Sequence, residues 1–366
     1  MAQPASTQQS IYKLGNKIMS AKAPASTAVS KPGLNFDITA LARRPEFGAL
    51  IGAVAVFIFF SIAGGSGFTD PGGWASWLNV ASEVGIIALP VALVMIAGDL
   101  DLSVGSTLAA SSMTMAILSG FFGLPTWVGV IAALLFGVLV GWLNGYLVTK
   151  TNLPSFVVTL ASMFIVMGAT LGATRLIVGS TSVTMTADPL FQWLFGNLIF
   201  GLFETAVIWW AIVAIVISWI LYKSIYGNWI YAIGGDVVSA RATGIPVNKV
   251  RIALFMGSGF GAALVGVIQT SIYNGAQVAA GQSFVFNSII AVVVGGVLLT
   301  GGYGSTLGVI LGTVTFGIVN QGIYYTGWDA DWAALILGLL LLAAVLTNNT
   351  FRRLALSGGK KEKKND

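Results

Sequence analysis

Tyr231–Arg251, YAIGGDVVSARATGIPVNKVR, is the longest polar and charge-bearing interval between the hydrophobic segments of the chain, with six such segments before it and four after it. Asp favours helix N-caps, and Gly favours the left-handed position that ends a helix. We therefore predict a short helix over Val237–Thr243, capped by Asp236 and stopped by Gly244. The pair Gly234-Gly235 is expected to loosen the chain before this helix. A short capped helix tethered between two membrane spans suits docking to a partner. The same pattern also fits a solvated loop with one helical turn.

The predicted helix has a polar side and a partly apolar side. Its polar residues are Asp236, Ser239 and Arg241, and its apolar residues are Val237, Val238 and Ala242. We expect the apolar side to seat in a groove on the partner, where an unpaired charge would be costly to bury.

The composition of the chain is that of a membrane protein. Of its 366 residues, 56% are hydrophobic and 8% are charged, and the mean hydropathy is +0.87. A soluble domain carries about 25% charged residues. The 46 glycines fit the same class, because small residues let membrane helices approach closely. One polytopic domain is favoured over two separate ones.

The residue types that are absent exclude several kinds of chemistry. The chain has no Cys and no His, so disulfides, thiol nucleophiles, zinc–thiolate sites and imidazole acid–base catalysis are ruled out. It also has no Walker motif, since its single Gly-Lys pair is Gly359-Lys360 in the C-terminal tail. We therefore predict that the chain is not an enzyme, binds no cofactor or metal, and does not hydrolyse ATP itself.

The hydrophobic pattern predicts an all-α polytopic membrane protein with about ten transmembrane segments, some of them short or broken at glycine-rich points. The predicted segments are Gly48–Ala63, Leu78–Gly98, a third ending near Phe122, Trp127–Val148, Pro154–Gly172, Thr205–Leu221, Ile252–Ile272, Ser288–Leu299, Thr306–Tyr324 and Trp332–Leu346. The run Ser288–Leu299 is shorter than the roughly 20 residues that a full crossing needs. Residues 173–203 are expected to form an outer loop with an interfacial helix.

The basic residues orient the predicted segments. We divide the chain into a disordered basic N-terminal tail (1–45), a transmembrane domain (46–350) with a cytoplasmic loop at 223–251, and a basic C-terminal tail (351–366). If the N-terminus is cytoplasmic, ten crossings also place the C-terminus inside. Seventeen of the 18 Lys and Arg residues then face the cytoplasm and Arg175 alone faces outside, which is the positive-inside pattern. The net charge of +5 is therefore interpreted as a topology signal and not as a nucleic-acid surface.

Two polar turns follow hydrophobic segments on the predicted cytoplasmic side, one over Gly98–Ser106 and one over Gly301–Ser305. The residues singled out in them are Asp99, Asp101, Ser103, Gly105, Ser106, Gly302, Gly304 and Ser305. One interpretation is that Asp99, Asp101 or Ser103 caps the third membrane helix, where negative charge is favoured. The other is a polar hinge at an inner gate.

A four-residue repeat links the two turns. The sequence GSTL occurs at Gly105–Leu108 and again at Gly304–Leu307. Both copies follow an inward-running segment, so a shared turn geometry would explain the repeat. In a glycine-rich chain it could equally be chance.

Three stretches resemble the ribose-type permeases of ABC sugar transporters. They are YAIGGD and ARATGI within the polar interval (Tyr231–Asp236 and Ala240–Ile245), DLSVGS within Gly98–Ser106, and GGYGS at Gly301–Ser305. The resemblance that they carry extends over roughly residues 48–346 of the chain. The first of them looks like the cytoplasmic loop through which such permeases couple to an ATPase.

The resemblance implies the permease subunit of an importer in the bacterial inner membrane. Two permease copies, or this chain and a homologous permease, would form the pore. A periplasmic binding protein would deliver a monosaccharide or related polyol, and ATPase subunits would dock on the coupling helix. The residues implied in ATPase coupling are Asp236, Val237, Val238, Ala240, Arg241, Ala242 and Gly244. Branched-chain amino-acid permeases lie nearby in the family, but the DLSVGS and GGYGS turns favour a sugar.

The candidate substrate path consists of Glu83, Asn79, Asn144, Gln269 and Asn320. Glu83 is the one ionisable residue drawn into a predicted span, and an intramembrane carboxylate is by default a functional candidate. It lies about five residues, or roughly 7 Å, from the outer end of its span, so it could simply reach the headgroups. The amides, together with Asn274, Gln277, Asn287 and Gln321, could bind sugar hydroxyls or could form helix–helix hydrogen bonds.

A protein of a different class would share part of this sequence pattern. A self-sufficient secondary transporter or channel would move its substrate without ATP and would need an intramembrane ion site. The sequence offers only Glu83 for such a site.

Overall fold

The computed structural model of this chain describes residues 45–151, 153–329, 331–339 and 342–343. The two predicted tails lie outside the described residues, apart from residue 45. The α-helices are α1 Pro45–Ala63, α2 Gly65–Thr69, α3 Pro71–Ile96, α4 Val104–Ala116, α5 Thr126–Thr151, α6 Ser155–Val178, α7 Pro189–Phe191, α8 Ala206–Lys223, α9 Ile225–Gly235, α10 Val237–Ala242, α11 Val247–Ile272, α12 Gln282–Val294 and α13 Thr306–Gly322. The strands are β1 Ser182–Thr184, β2 Leu198–Ile199, β3 Phe203–Glu204 and β4 Gly275–Gln277.

Most of the described chain is helical, which confirms a polytopic α-helical membrane protein. Within the described ranges, eight helices are long and apolar enough to cross a membrane. They are α1, α3, α4 with the π-helical turn Ile117–Phe121, α5, α6, α8, α11 and α13. The tenth predicted segment is helical at 332–339 and 342–343, and the rest of it falls outside the described residues. The count of ten and the cytoplasmic termini stay predictions.

Helix α11 lies at the centre of the helix packing. It packs closely against α5 through small residues: Cβ atoms added at Gly137 and Gly259 would each overlap the backbone of the other helix. Gly141 likewise packs on Phe255, and Gly145 on Ile252. Glycines spaced four residues apart along α5 therefore bring the two antiparallel helices together, as small residues do in membrane bundles.

Two segments cross the fold without forming one long continuous helix. The chain leaves α3 at Ile96, continues without helix to Ser103, and resumes as α4. Helix α12 has 13 residues, about 20 Å at 1.5 Å per residue, which is less than the roughly 30 Å of a bilayer core. The prediction of a short eighth segment is therefore confirmed, although the helix begins six residues before Ser288.

The first turns of α4 and α12 meet inside the protein. A Cβ at either Gly105 or Gly281 would overlap the carbonyl oxygen of the other. Ser258 of α11 bonds Asp101, and Gly266 of α11 packs on Leu108. The contact between Gly105 and Gly281 lies between these two levels, about halfway along α11. Each of the two discontinuous segments thus places a helix N-terminus in the middle of the fold.

Helix α9 was not predicted from the sequence. We expected Gly234 and Gly235 to loosen the chain, but both belong to this helix. Gly234 packs so closely that a Cβ there would overlap the carbonyl oxygen of Ile96 and crowd the amide of Gly302. Close packing against α3 and the second glycine turn thus outweighs the low helix propensity of glycine, about 1 kcal/mol.

The segment 173–203 differs in detail from the predicted outer loop with an interfacial helix. Helix α6 continues to Val178, and the expected interfacial helix is reduced to the three residues of α7 and a π-helical turn at Gln192–Gly196. Two small antiparallel sheets were not expected. Strand β1 pairs with β4, and β2 pairs with β3.

The two ends of the protein differ in content. One end, here called the coupling end, holds α9, α10 and the start of α11. Glu46 interacts electrostatically with Tyr231 and Tyr303, so α1 begins at this end as well. The opposite end, here called the far end, holds the two small sheets.

Candidate functional site

One face of α11 carries polar side chains at three levels. Arg251 and Gln269 are 18 residues apart, about five turns, and Ser258 lies about two turns beyond Arg251. All three side chains point at the α3–α4 region. Arg251 bonds Asp99, Ser258 bonds Asp101, and Gln269 bonds Glu83. A column of polar contacts therefore runs along the inside of the fold.

At the coupling end, Asp99 and Arg251 form a two-bond ion pair. The Nε of Arg251 donates to Oδ2 of Asp99 at 2.6 Å, and its Nη2 donates to Oδ1 at 2.5 Å. The exposed fractions of the side chains are 5% for Asp99 and 17% for Arg251. Two parallel charge-assisted bonds fix the orientation of both groups. Asp99 therefore ties the α3–α4 connection to α11.

A buried cluster centred on Asp101 forms the middle level. Oδ1 of Asp101 accepts from the backbone N–H of Ser103 at 3.0 Å and from its hydroxyl at 2.7 Å. Oδ2 accepts from the hydroxyl of Ser258 at 2.8 Å. Asn144 on α5 donates to the Ser103 hydroxyl at 2.8 Å. The cluster therefore joins the connection before α4 to both α5 and α11.

The predicted cap of the third membrane helix is wrong. Ser103 occupies the N-cap position of α4, but its side chain accepts no bond from the first turn. Its hydroxyl donates to Asp101, while Asp99 is engaged by Arg251. Bonds within the α3–α4 connection and to Arg251 therefore engage the side chains that would otherwise have capped the helix.

The two GSTL repeats do not share a geometry. Ser305 is the N-cap of α13 and accepts from the N–H of Gly308 at 3.0 Å, whereas Ser106 lies within the first turn of α4. Gly304 has φ of +156°, and Gly105 is helical. The repeat thus falls at different positions relative to the two helix starts.

The second glycine turn packs between α3 and α9. Gly302 has φ of +74° and donates its N–H to the carbonyl of Ile96 at 2.8 Å. Tyr231 donates its hydroxyl to the carbonyl of Gly304 at 2.7 Å. Gly301 also has a positive φ, +79°, which side chains rarely adopt. The end of α3, helix α9 and this turn therefore form one packed unit at the coupling end.

Helix α10 has the caps that the sequence predicts, and it ends one residue earlier than expected. Asp236 accepts from the backbone N–H of Ser239 at 2.6 Å, and this bond lowers the pKa of the Asp236 carboxyl. Gly244 follows the helix with φ of +86°. Asp236 therefore stays ionised at neutral pH, at the helix end where negative charge is favoured.

The faces of α10 differ in part from the expectation. Ala240 is buried and Val237 is half-buried against the rest of the chain, so these two residues face inward. Val238 is 76% exposed, and Ala242 is also exposed. Arg241 bonds Asn248 at the start of α11. The free apolar surface of α10 is thus Val238 and Ala242. It does not include Val237, because Val237 packs against the rest of the chain.

At the far end, the third polar level adjoins a cavity. Gln269 donates to Oε2 of Glu83 at 3.0 Å, and Ser112 and Thr270 share a hydrogen bond of 2.7 Å between their hydroxyls. Oε1 of Glu83 has no hydrogen-bond partner among the described residues. The cavity next to them has a volume of about 410 Å³. Its walls are contributed by α4, the end of α11, β1 and the segment 273–280.

The candidate path residues do not form one site. Only Glu83 and Gln269 meet at the cavity level, whereas Asn144 belongs to the Asp101 cluster. Asn79 supports the β2–β3 hairpin by bonding the backbone of Leu202 and Glu204. Asn320 accepts from the neighbouring Gln321.

Some residues at the cavity were not predicted from the sequence. Ser112 and Tyr273 line it, and Glu204 stands close enough to interact electrostatically with Glu83 and Tyr273. Desolvation, with a contribution from Glu83 and Glu204, raises the pKa of Tyr273 to about 12. Its hydroxyl is therefore a neutral donor at physiological pH. In the sequence, these three cavity residues are marked only by their position after or between apolar runs. That position does not distinguish them from other polar residues.

The described chain thus combines broken membrane helices, a capped helix exposed at one end and a buried polar column. The profile of the family described as "Branched-chain amino acid transport system / permease component" matches residues 73–345. This chain belongs to that family. It is therefore a transport component and not an enzyme.

Curated relatives cover most of the chain. The fructose import permease protein FrcC of Rhizobium meliloti is 30% identical over 86% of this chain and 88% of its own length. The ribose import permease protein RbsC of Escherichia coli strain K12 is 33% identical over 74% of this chain and 84% of its own. RbsC of Bacillus subtilis strain 168 is 32% identical over 82% and 92%, respectively.

Proposed function

We propose that this chain is the permease subunit of a bacterial ABC importer for a monosaccharide or a related polyol. The observation that carries the proposal is the match to ribose and fructose import permeases over most of both chains. The cavity fits this substrate class, because its polar side chains are hydroxyls, amides and one phenol. A branched-chain amino acid is the second candidate, since the family description names that transport system.

The two ends of the fold support different partners. An ATPase subunit docks at the coupling end on Val238 and Ala242 of α10, with Asp236 and Gly244 fixing the helix ends. A periplasmic binding protein delivers the sugar at the far end, and a second permease copy completes the pore. The exposed apolar sides of α6 and α8 face lipid or that second copy. In this proposal the chain lies in the bacterial cytoplasmic membrane with both termini inside, as the distribution of basic residues predicts.

The ion pair between Asp99 and Arg251 connects docking to the permease interior. Arg251 lies about one turn into α11, which follows α10 after a four-residue connection at 243–246. A displacement of α10 therefore moves Arg251, and Asp99 passes the movement to the non-helical connection before α4. ATP hydrolysis on the partner would bias two conformations of this connection.

Reconstitution tests the proposed function. The substrate panel consists of four sugars and one polyol: D-ribose, D-fructose, D-xylose, D-glucose and myo-inositol. Vesicles containing this chain with its ATPase and binding protein should take up at least one labelled member of this panel, and only when ATP is enclosed. The chain alone should take up none, because it has no means of hydrolysing ATP. ATP-independent uptake by the chain alone would favour a secondary transporter or channel. Uptake of leucine and of no sugar would favour the amino-acid alternative.

A further inference from the structure

The far-end cavity has a lining suited to a neutral, hydroxyl-rich ligand. Its polar side chains are Ser112, Ser182, Thr184, Gln269, Asn274 and Gln277, with Tyr273 beside them. No side chain among its described lining residues is charged. A free amino acid carries an ammonium and a carboxylate, both of which need charged or strongly polar partners when desolvated. A sugar needs neutral donors and acceptors together with one apolar ring face, which Tyr273 can supply.

The cavity walls hold their polar groups in fixed positions. Strands β1 and β4 pair so that Ser182 stands opposite Gln277, and Thr184 lies two residues along on the same face of β1. Gln269 is held by Glu83, which is 8% exposed and keeps one oxygen without a partner among the described residues. This buried acceptor lies directly behind the cavity wall and can strengthen the amide as a hydrogen-bonding group.

A tight turn leads into β4 beside this site. Asn274 has φ of +50°, a left-handed conformation that Asn adopts readily. The cavity ends at Ala280, next to Gly281, whose backbone is closed against Gly105. A ligand in the cavity would therefore rest above the contact between the N-termini of α12 and α4.

We propose that this cavity binds one monosaccharide or polyol on its way into the permease, with Gln269, Gln277 and the ring of Tyr273 as the main contacts. The volume of about 410 Å³ lies within the range of small-molecule pockets, roughly 300–1,000 Å³. This inference rests on the proposed function, because it names the place where the imported sugar is held.

Cysteine protection tests the site directly, since the natural chain contains no Cys. Gln277→Cys should react with a hydrophilic maleimide in the assembled transporter, and a transported sugar from the five-member panel should slow the reaction at least about threefold. The matched control is Phe200→Cys, on the β2–β3 hairpin at the same end and 91% exposed, where the sugar should change nothing. Leucine should protect neither position. Ser182→Cys replaces Gln277→Cys if the latter fails to insert.

Transport kinetics give a second measurement. Tyr273→Ala and Gln277→Ala should raise the KM for sugar uptake about three- to tenfold at unchanged membrane level, and Tyr324→Ala, an exposed tyrosine away from the cavity, should not. Unchanged KM and no protection, in vesicles that still import a sugar of the panel, would overturn the site and leave the proposed function intact. If the assembled transporter imports no sugar of the panel, the proposed function fails, and the site fails with it.

Discussion

Asp99 and Arg251 show how much a single residue pair decides in this fold. Burying two charges costs several kcal/mol per ion, which the attraction between them offsets only with good geometry. The two short bonds between Arg251 and Asp99 supply that geometry. Removing one partner leaves the other charge buried without its counter-ion, which typically costs about 3–5 kcal/mol. The partial exposure of Arg251 places the expected cost at the lower end of that range.

We expect Asp99→Ala and Arg251→Ala each to lower the melting temperature of the purified protein and to reduce sugar uptake. The double variant should be less damaged than the sum of the two single variants, because neither charge is then left unpaired. Arg241→Ala is the control for melting temperature, since Arg241 is exposed and bonds only Asn248 among the contacts described. If the single variants melt no lower than this control, the pair contributes nothing to stability.

Asp101 allows a similar test at the middle level. Asp101→Ala removes the acceptor for the N–H and hydroxyl of Ser103 and for the hydroxyl of Ser258. Each buried group left unsatisfied costs about 1–3 kcal/mol, so thermal stability and membrane level should fall. Asp101→Asn keeps one acceptor oxygen and should lose less. Full stability with lost uptake would instead assign Asp101 a role in the transport cycle.

At the scale of elements, α10 combines a local helix signal with the surface that we propose meets the ATPase. Its ends are set by Asp236 and Gly244, and its inner side is anchored by Ala240. The exposed Val238 and Ala242 are then free to meet another protein. A helix of six residues has little stability by itself, so its caps and its anchor determine whether the surface is presented.

Changes on α10 should uncouple the ATPase without affecting insertion. Ala242→Glu adds bulk and a charge to the docking surface, so we expect loss of ATPase co-purification and of stimulated ATP hydrolysis. The control is Ser239→Glu, on the polar side. Normal co-purification and uptake with Ala242→Glu would show that α10 is not the docking element.

The helix stop gives a matched pair of variants. Gly244→Val should impair coupling, because a β-branched residue resists φ of +86°. Gly235→Val is its control, since Gly235 also has open space around its Cα but lacks a positive φ. Equal coupling activity in the two variants would contradict a requirement for the left-handed conformation.

At the scale of the whole molecule, the fold separates a coupling end from a far end. Residues Glu46, Tyr231 and Tyr303, far apart in sequence, interact at the coupling end. At the far end, Asp188 bonds the backbone N–H of Thr126, and its own N–H donates to the Thr126 hydroxyl. The distribution of basic residues predicts that the coupling end is cytoplasmic.

Single cysteines test this orientation in intact cells. Lys13→Cys, Ser239→Cys and Gly358→Cys should resist an impermeant maleimide, because both tails and α10 are predicted to be cytoplasmic. Phe200→Cys at the far end should react and serves as the positive control. Modification of any of the first three from outside, in cells that exclude the reagent, would overturn the topology.

The sequence by itself determined the features that local chemistry controls. The apolar spans follow from hydrophobic length, and the short α12 from a run too brief to cross a bilayer. Helix α10 and its caps follow from Asp236 and Gly244, whose effects on the backbone act within three or four residues. The family resemblance rested on the same kind of short local stretch.

Only the tertiary structure decided which polar residues meet. Asp99 and Arg251 are 152 residues apart, and Glu83 and Gln269 are 186 apart. Helix α9 depends on packing of Gly234 against α3, and β1 depends on a partner strand that lies far along the chain. Spacing along a sequence specifies contacts within a turn or two of helix. Contacts between distant segments depend on how whole helices pack, which no local pattern encodes.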